Sequence, residues 1–512
     1  MSAKTAQARI TTLALAGAAS ITAALSMTAS ATAHASPTTP ARAPKPAATA
    51  ATKPGLTAKP IVLDNNVELS GYDAATDASG TSYIGWISDN NNAGRKVHLC
   101  TLPPGARKCK GGVQTVDSLG DSSAQGLTVL VSATGEVTLV WFHDTTASED
   151  GPQGSEIASS TSDAGGPLSP PVDMATAPSF GSLLDARLGP GGQIWTVTES
   201  SSATTIEVRT DLFDPSNPYL TLKPPYDVEA ARLRFHGNNG VLAIQKGGAI
   251  TVPVDYASYN NGHWSAFRKL ARTWTSDAIV GLAGTNSGIR LVTSVNNADY
   301  YPVMWSWNGS TFTNPTPTGD FNNCSPNSHD LVSDGSGRLA DVSRECDDVA
   351  IANLPDTRHA AVVRFDIHGT FAGGDPQITT TPRGTGWVAW SMESAKGDKL
   401  LAAPFVLPGR IVTAASTGKG NRVTVSGPQS CLPPAEVKVG VKANPAKGWH
   451  AVSSVLRLGS TVLHSATLNG AALKAGSSYT LSGTVKFANG GAHATVTAKL
   501  KFESCPNGGT SG

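Results

Sequence analysis

The chain has 512 residues, with 39 basic and 38 acidic side chains, and 15% of its residues are charged. Such a balance argues against nucleic acid as a partner, because neutralising phosphates requires a basic face. The 53 glycines and 33 prolines are typical of many short strands joined by turns.

The first 35 residues have the features of a signal peptide. Lys4 and Arg9 precede an apolar stretch rich in alanine and threonine, and the sequence AHA at 33–35 is a small-residue cleavage site. No later stretch reaches the roughly 18 uninterrupted apolar residues of a membrane span. We therefore expect a secreted, extracellular protein. Residues 36–59, rich in Ala, Pro and Thr, are predicted to form a disordered or semi-extended linker.

Residues 60–410 repeat one pattern, which is an alternating strand, a turn with glycine, and a second alternating strand. LTVLVSATGEVTLVWFH and ARLRFHGNNGVLAIQK are two copies. The last turn glycines of the seven copies are Gly80, Gly135, Gly192, Gly240, Gly288, Gly337 and Gly386, spaced by 55, 57, 48, 48, 49 and 49 residues.

A weaker second strand pair follows each of these hairpins. Four strands in about 50 residues form one blade of a β-propeller, so the sequence predicts an all-β, seven-bladed β-propeller over residues 60–410. Ordinary β-meanders in a sandwich are the alternative. The sequence leaves open whether the strand KPIVLDN at residues 59–65 closes the last blade.

Six cysteines in an exported protein are expected to pair. The first pair flanks a Pro-Gly turn, and the second is equidistant from Gly335, the centre of a predicted hairpin turn. Residues equidistant from such a turn face each other across the ladder. The third pair lies at opposite ends of a C-terminal segment. The predicted disulfides are Cys100–Cys109, Cys324–Cys346 and Cys431–Cys505.

The C-terminal segment, residues 420–512, has about five alternating strands, among them SYTLSGTVKF and HATVTAKLKF, with polar turns such as ANGG. This pattern predicts a small immunoglobulin-like β-sandwich. The Cys431–Cys505 bridge would tie its first part to its last strand.

Catalytic motifs in the sequence are incomplete. GDSS at 120–123 resembles the nucleophile motif of trypsin-like proteases but lacks its flanking residues, and no G-x-S-x-G elbow occurs. Paired carboxylates on one rim of the ring could cleave glycosides. Loops are also where acidic residues normally lie. The candidates just beyond second strands are Glu149, Asp150, Glu345, Asp347 and Asp348.

No cofactor or metal is predicted. The histidines are scattered singly and no H-E-x-x-H motif occurs. The sequence DNNNAG at 89–94 begins like a calcium loop, but Ala93 and Cys100 stand where oxygen ligands are needed, so a solvated loop is the interpretation.

Aromatic side chains beside Asn-Gly turns could stack on sugars, which would make the protein a lectin. The alternative is that they pack between blades. The candidates are Tyr256, Tyr259, Trp264, Tyr300, Tyr301, Trp305 and Trp307.

The layout of residues 60–410 resembles that of the secreted actinobacterial seven-bladed propellers, among them the dispase autolysis-inducing protein. The resemblance rests on architecture and not on a matched motif. It implies an exported propeller that acts on a metalloprotease without being an enzyme.

These observations predict a non-catalytic secreted binding protein whose propeller loops engage an extracellular protein, such as a protease, or a glycan. The alternatives are a carbohydrate-active hydrolase or lyase that uses the rim carboxylates, and a lectin that uses the aromatics.

Overall fold

The computed structural model describes residues 55–89, 95–117, 125–145, 154–163, 166–177, 180–200, 205–210, 220–246, 254–270, 277–285, 288–297, 299–313, 315–317, 329–333, 339–345, 348–354, 361–367, 370–372, 374–381, 384–408, 411–428, 431–432, 436–474 and 476–504. Within these residues the chain is all-β, with 39 strands and two single-turn 3₁₀ segments. None of the helical segments described there is long and apolar enough to cross a membrane.

The chain first forms an antiparallel meander. Its strands are β2 (Ile61–Thr76), β3 (Ser82–Asp89), β4 (Arg95–Leu102) and β5 (Gln114–Asp117). The short strand β1 (Gly55–Leu56) precedes the meander and pairs with residues 405–406 near the end of the repeat region. Strands β2 to β5 pair in chain order. In β3, seven successive residues from Ser82 to Ser88 are buried, so both faces of this strand are covered by other parts of the protein. A sheet with one solvated face would alternate instead.

The same meander recurs five times. The strands are β6 (Gln125–Val131), β7 (Glu136–Thr145), β8 (Gly154–Asp163), β9 (Val172–Ala177), β10 (Phe180–Leu188), β11 (Ile194–Ser200), β12 (Ile206–Thr210), β13 (Leu220–Leu222), β14 (Val228–His236), β15 (Asn239–Lys246), β16 (Val254–Asn260), β17 (His263–Trp264), β18 (Arg268–Lys269), β19 (Asp277–Thr285), β20 (Gly288–Asn297), β21 (Asp299–Ser306), β22 (Thr316–Pro317), β23 (His329–Ser333), β24 (Leu339–Glu345), β25 (Asp348–Leu354) and β26 (Ala361–Asp366). The sheets are β6 to β9, β10 to β13, β14 to β18, β19 to β22 and β23 to β26. A 3₁₀ turn, Pro190–Gly192, joins β10 to β11.

The N-terminal strand closes the last meander. That sheet contains β27 (Gln377–Ile378), β28 (Thr385–Met392) and β29 (Asp398–Val406). The first half of β2 pairs with β29, from Ile61 opposite Ala402 to Val67 opposite Asp398, whereas its second half pairs with β3. One strand thus joins the two ends of the repeat region, which answers the question that the sequence left open about KPIVLDN.

The first strands of the successive meanders touch one another in a closed cycle. In chain order these first strands are β2, β6, β10, β14, β19, β23 and β27; each contacts the next, and β27 contacts β2. Between each neighbouring pair of sheets lies an apolar cluster. Fully buried Trp86, Trp141, Trp305 and Trp390 belong to these clusters. The core is therefore spread between sheets around an axis, as in a β-propeller.

The predicted hairpins form, but three of the predicted turn glycines lie within strands, among them Gly288, which begins β20 and pairs with Thr285. Gly80, Gly135 and Gly192 adopt positive φ in their turns. Gly240 and Gly386 lie inside β15 and β28. Gly237 and Gly384 have positive φ just before these strands instead. In the first case a two-residue connection replaces the longer predicted turn, so Gly240 pairs with Phe235. Gly337 lies outside the described residues.

One of the predicted disulfides, Cys100–Cys109, is present, with the two Cα atoms 5.1 Å apart. Cys324, Cys346 and Cys505 lie outside the described residues, so the other two pairings stay predictions. The register of β23 and β24 pairs Ser333 with Leu339. This hairpin is therefore centred on residue 336, one position beyond the predicted centre at Gly335.

The C-terminal region is a pair of facing β-sheets. Its strands are β30 (Ile411–Gly418), β31 (Asn421–Pro428), β32 (Cys431–Leu432), β33 (Glu436–Lys438), β34 (Gly440–Asn444), β35 (His450–Leu458), β36 (Thr461–Val462), β37 (Thr467–Asn469), β38 (Ser478–Asn489) and β39 (Ala492–Ser504), with a 3₁₀ turn at Gly470–Ala472. The sheet β30-β31-β34 packs against the sheet β32-β39-β38-β35-β36, while β33 pairs with β37. Val423, Val425, Leu481 and Phe487 are buried between the sheets. The parallel pairing of β32 with β39 places Cys431 opposite Glu503.

Candidate functional site

The seven first strands surround a cavity of about 310 Å³, which we call the axial cavity. Each of these strands contributes residues to its wall. Four charged side chains line it, which are Asp73 on β2, Arg187 on β10, Arg234 on β14 and Asp330 on β23. The wall continues from Asp73 to Thr76, and from Asp330 to Ser333. The cavity therefore extends toward the ends of the first strands, where their hairpin turns begin.

Aspartates of the first strands join neighbouring sheets. Asp73 Oδ2 accepts a hydrogen bond from the backbone N–H of Val129 at 2.8 Å, and Asp330 Oδ2 accepts one from Ile378 at 2.9 Å. The third bond, from Leu233 to Asp185 Oδ2, is 2.6 Å long.

In all three cases the donor lies on the next first strand around the axis. Each aspartate stands three residues before the end of its strand, in the sequences DAAT, DARL and DLVS. These three aspartates were not predicted from the sequence. A repeat-by-repeat alignment of the first strands would have found them.

Arginines occupy another part of the wall. Asp185 Oδ1 lies 3.1 Å from Arg187 Nη2, and Asp185 Oδ2 lies 3.5 Å from Arg234 Nη1. Arg234 Nη1 also donates to the backbone oxygen of Leu233 at 2.7 Å. Among the described residues, no acceptor contacts Nε or Nη2 of Arg234. Arg232 lies on the same strand and donates through Nη1 to the backbone oxygen of Ala231.

Burial changes the proton affinity of the acidic groups. Burial raises the pKa of Asp73, and the guanidinium of Arg187 opposes that rise. For Asp330, burial and then the negative charge of Asp73 raise the pKa to about 7, against the opposing charges of Arg187 and Arg232. Burial also raises the pKa of Asp185, which the two guanidiniums of Arg187 and Arg232 counteract. The cavity therefore holds one carboxyl group, that of Asp330, whose pKa lies near neutral pH.

The acidic and the basic side chains that line the axial cavity lie on different parts of the cycle of first strands. Asp73 and Asp330 lie on β2 and β23, which only β27 separates in the cycle. Arg187 and Arg234 lie on the adjacent strands β10 and β14. Strand β6 on one side and β19 on the other lie between the two groups. The axial cavity thus has an acidic half and a basic half.

The structure places most of the predicted sugar-binding aromatics between sheets. Tyr256, Trp305 and Trp307 are at most 7% exposed and belong to one apolar cluster. Tyr256 and Trp307 meet edge to face, with ring centroids 5.6 Å apart. Such buried rings offer a sugar no face for stacking. This position agrees with the packing interpretation of these three residues.

Two further aromatics, Tyr259 and Trp264, are half-buried and pack against Trp195. Their role in sugar binding stays a prediction. Tyr300 and Tyr301 lie on β21, and their side chains are outside the described part of the structure.

Most of the predicted rim carboxylates cannot be placed. Glu149, Asp150 and Asp347 lie outside the described residues, as do Gly120–Ser123 and most of the DNNNAG loop. The backbone of Glu345 ends β24 and pairs with Asp348, the half-buried first residue of β25. The convergence of these carboxylates on one rim stays a prediction. In the described part of the chain, no three His, Cys, Asp or Glu side chains form a group able to hold a metal ion.

A buried serine–histidine–aspartate contact occurs beside the N-terminal strand. His98 Nε2 is 2.9 Å from Ser88 Oγ, and its Nδ1 is 2.8 Å from Thr115 Oγ1. Asp64 Oδ2 accepts from Trp86 Nε1 at 2.8 Å and lies 4.0 Å from His98 Nε2.

This contact lacks the arrangement of a catalytic triad. In a triad the carboxylate contacts the histidine nitrogen that does not face the serine. Burial lowers the pKa of His98 to about 4, so the ring is neutral at pH 7. The group acts as a hydrogen-bond network that holds the closing strand against β3 and β4.

Comparisons with known proteins find solved structures of distant similarity only. No protein-family model matches the chain, and no curated protein sequence matches it. The resemblance to secreted actinobacterial propellers therefore has no sequence-level match behind it.

Three similar solved structures illustrate this likeness. The WD40 domain of Toxoplasma gondii coronin is 13% identical, with 70% of this chain and 86% of that chain covered and a TM-score of 0.46. The β-propeller domain of the trilobed protease from Pyrococcus furiosus is 11% identical, with coverages of 66% and 95% and a TM-score of 0.35. The Hadza microbial sialidase Hz136 is 11% identical, with a TM-score of 0.38. The match covers 58% of this chain and 66% of the length of the sialidase.

Proposed function

We propose that this protein is a secreted seven-bladed β-propeller with a C-terminal immunoglobulin-like domain. The cycle of seven first strands and the seven apolar clusters between sheets support the blade count. Two facing sheets in the C-terminal region support the second domain. The signal-peptide features of residues 1–35 and the Cys100–Cys109 disulfide support export.

The protein acts as a binding protein, and its ligand occupies the axial cavity. The observation that carries this proposal is the presence of Asp73, Asp330, Arg187 and Arg234 around one cavity of about 310 Å³. All four side chains are half-buried, and removing charge from water costs free energy that polar partners must offset, so a wall that keeps four charges around one cavity is suited to a polar ligand. Ligand pockets combine a concave cavity with a few convergent polar groups in this way.

The sequence predicts a binding protein whose ligand contacts the propeller loops. The proposed function is also ligand binding, but the proposed site is the axial cavity. The ligand is an extracellular small molecule, or a terminal group of an extracellular protein or glycan. It enters from the face that carries the first hairpin turns, because the cavity wall continues to Thr76, Leu188 and Ser333 at the ends of their strands.

A thermal-shift screen of extracellular metabolites, sugars and peptides tests this proposal. The purified protein is compared with the double variant Asp73→Asn, Asp330→Asn, whose amide oxygens still accept the inter-strand hydrogen bonds. Asp255→Asn is the matched control, because Asp255 is buried outside the cavity. Ligands that raise the Tm of the wild type and the control but not of the double variant support axial binding. Ligands that stabilise all three proteins equally bind elsewhere and contradict it.

Acid–base hydrolysis in the same cavity is a second candidate function. It is favoured by the position of two carboxyl groups, Asp73 and Asp330, on one cavity wall, and by the pKa of Asp330, because a carboxyl group with a pKa near 7 can donate a proton at neutral pH. Substrates would be glycosides, for which paired carboxyl groups are suited. Turnover of an aryl glycoside that Asp330→Asn abolishes would establish this reaction. Tight binding without turnover favours the binding protein.

A further inference from the structure

We infer that the axial cavity binds a small zwitterion, with an ammonium group at Asp73 and Asp330 and a carboxylate at Arg187 and Arg234. This inference rests on the proposed function, because it names the ligand class of the same site. The cavity volume of about 310 Å³ is at the lower end of the range for small-molecule pockets, about 300–1,000 Å³. A compact ligand therefore fits.

The acidic half contains a carboxylate oxygen that accepts no hydrogen bond from the described residues. Asp330 uses Oδ2 for the backbone N–H of Ile378, and among the described residues no donor reaches its Oδ1. Asp73 lies close enough for its charge to raise the pKa of Asp330. Two carboxylates that repel each other are both stabilised by one cation placed between them. An ammonium group supplies that charge together with three N–H donors.

The basic half offers the matching donors. Arg234 makes its contacts with Leu233 and Asp185 through Nη1 alone. The edge formed by Nε and Nη2 meets no acceptor within the described structure. This edge has the fork geometry that binds both oxygens of a carboxylate. Arg187 lies on the neighbouring strand and adds its positive charge to this half, while its Nη1 donates to the backbone oxygen of Ala186.

The charge balance selects a ligand with both signs. Arg187, Arg232 and Arg234 lie near Asp185, and Arg187 and Arg232 also act on Asp330 across the cavity, so positive charge predominates in the half formed by β10 and β14. A ligand with only a cationic group is repelled by the positive charge of the basic half. A ligand with only an anionic group is repelled by the carboxylates of the acidic half. A zwitterion oriented across the cavity pairs with both halves.

Ligand binding is consequently coupled to proton release. The charged groups that influence Asp330 are Asp73 from β2, Arg187 from β10 and Arg232 from β14. Because the pKa of Asp330 is raised to about 7, the carboxyl group is largely protonated at pH 5.5 and must lose its proton to pair with an ammonium group. Affinity therefore rises between pH 5.5 and pH 8.

Isothermal titration calorimetry with three probes of equal chain length tests the inference. The probes are 4-aminobutyrate, which carries both charges, n-butylamine, which carries only the cation, and butyrate, which carries only the anion. We expect 4-aminobutyrate to bind wild-type protein at least tenfold more tightly than either of the others at pH 7.5. A charge-assisted hydrogen bond accounts for a factor of this order.

Variants separate the two halves of the cavity. Asp330→Asn is expected to weaken 4-aminobutyrate binding at least tenfold and to remove its pH dependence. Arg234→Gln is expected to weaken it similarly while leaving the pH dependence in place. The control Asp255→Asn binds like the wild type. Thermal melting of each variant verifies that it is folded, and the comparison of the three probes on wild-type protein requires no variant.

The outcomes distinguish this inference from the function on which it rests. Equal affinity for 4-aminobutyrate and either singly charged probe overturns the zwitterion inference. Binding of none of the three probes also overturns it. In both cases the thermal-shift screen still tests axial binding itself. There, another ligand that raises the Tm of wild type but not of the Asp73→Asn, Asp330→Asn variant would support the axial site. If 4-aminobutyrate binds and Asp330→Asn leaves its affinity unchanged, the axial site is contradicted as well.

Discussion

Ionisation of Asp330 should make the propeller less stable as the pH rises, and Asp330→Asn should remove this effect. The folded protein holds the pKa of this carboxyl group at about 7, whereas the unfolded value is 3.8. Between these values the folded state binds more protons than the unfolded state, so stability decreases as pH increases. The contribution is fully present below pH 3.8 and is lost once the pH exceeds about 7.

The size of the effect follows from the shift. A difference of about three pKa units corresponds to about 4 kcal/mol, at 1.36 kcal/mol per unit. This figure is an upper bound, because Asp330 lines a cavity and retains contact with solvent. An asparagine keeps the oxygen that accepts from Ile378 but has no charge. The free energy of unfolding of Asp330→Asn relative to wild type should therefore rise by up to about 4 kcal/mol between pH 4 and pH 8.

Urea denaturation at pH 4, 5, 6, 7 and 8 measures this difference. Tryptophan fluorescence is a suitable probe, because nine of the ten tryptophans lie in residues 60–410 and only Trp449 lies in the C-terminal region. Asp163→Asn, at an exposed position on β8, is the matched control for loss of one charge. If the difference between Asp330→Asn and wild type is the same at all five pH values, our account of this carboxyl group is wrong.

Three further predictions concern stability at neutral pH. Replacing Cys100 and Cys109 by serine should lower the free energy of unfolding by about 3 kcal/mol, because the disulfide closes a loop over a separation of 9 residues; equal urea midpoints for this variant and wild type under oxidising conditions would contradict it. Gly386→Ala should cost about 3 kcal/mol or more, since its Cβ would collide with the backbone oxygen of Thr379. Gly491→Ala, with open space around it, is the control and should change the urea midpoint little. Asp185→Ala should cost about 3–5 kcal/mol by leaving its two arginine partners uncompensated, and a loss below 1 kcal/mol in the same assay would show that these ion pairs contribute little.

Local sequence patterns predicted the strands and hairpins well because their causes are local. Alternation of apolar residues and a turn residue with positive φ act within one hairpin, and Gly80, Gly135 and Gly192 adopt that conformation. The prediction was less accurate where the connection was shorter than expected, as at Gly240, which lies within β15 and pairs with Phe235 of β14. The Cys100–Cys109 disulfide could be predicted for the same reason, because both cysteines flank one turn.

The candidate site could not be found in this way. Asp73, Arg187, Arg234 and Asp330 are separated by about 50 to more than 200 residues, and each looks like an ordinary polar residue in its strand. Three of the aromatics that looked like ligand-binding groups, Tyr256, Trp305 and Trp307, are buried in an apolar cluster between sheets. The residues next to a side chain in the sequence do not indicate which distant residue it will contact across an interface between sheets.

By itself the sequence determined the all-β class, the period of the repeats and the charge balance, because these depend on residue type and spacing along the chain. Tertiary structure alone decided that the N-terminal strand closes the last sheet, and that aspartates and arginines from distant repeats meet at one axis. Ring closure brings the first strands together whatever their separation in sequence, and burial there then shifts the proton affinity of the groups that line the cavity.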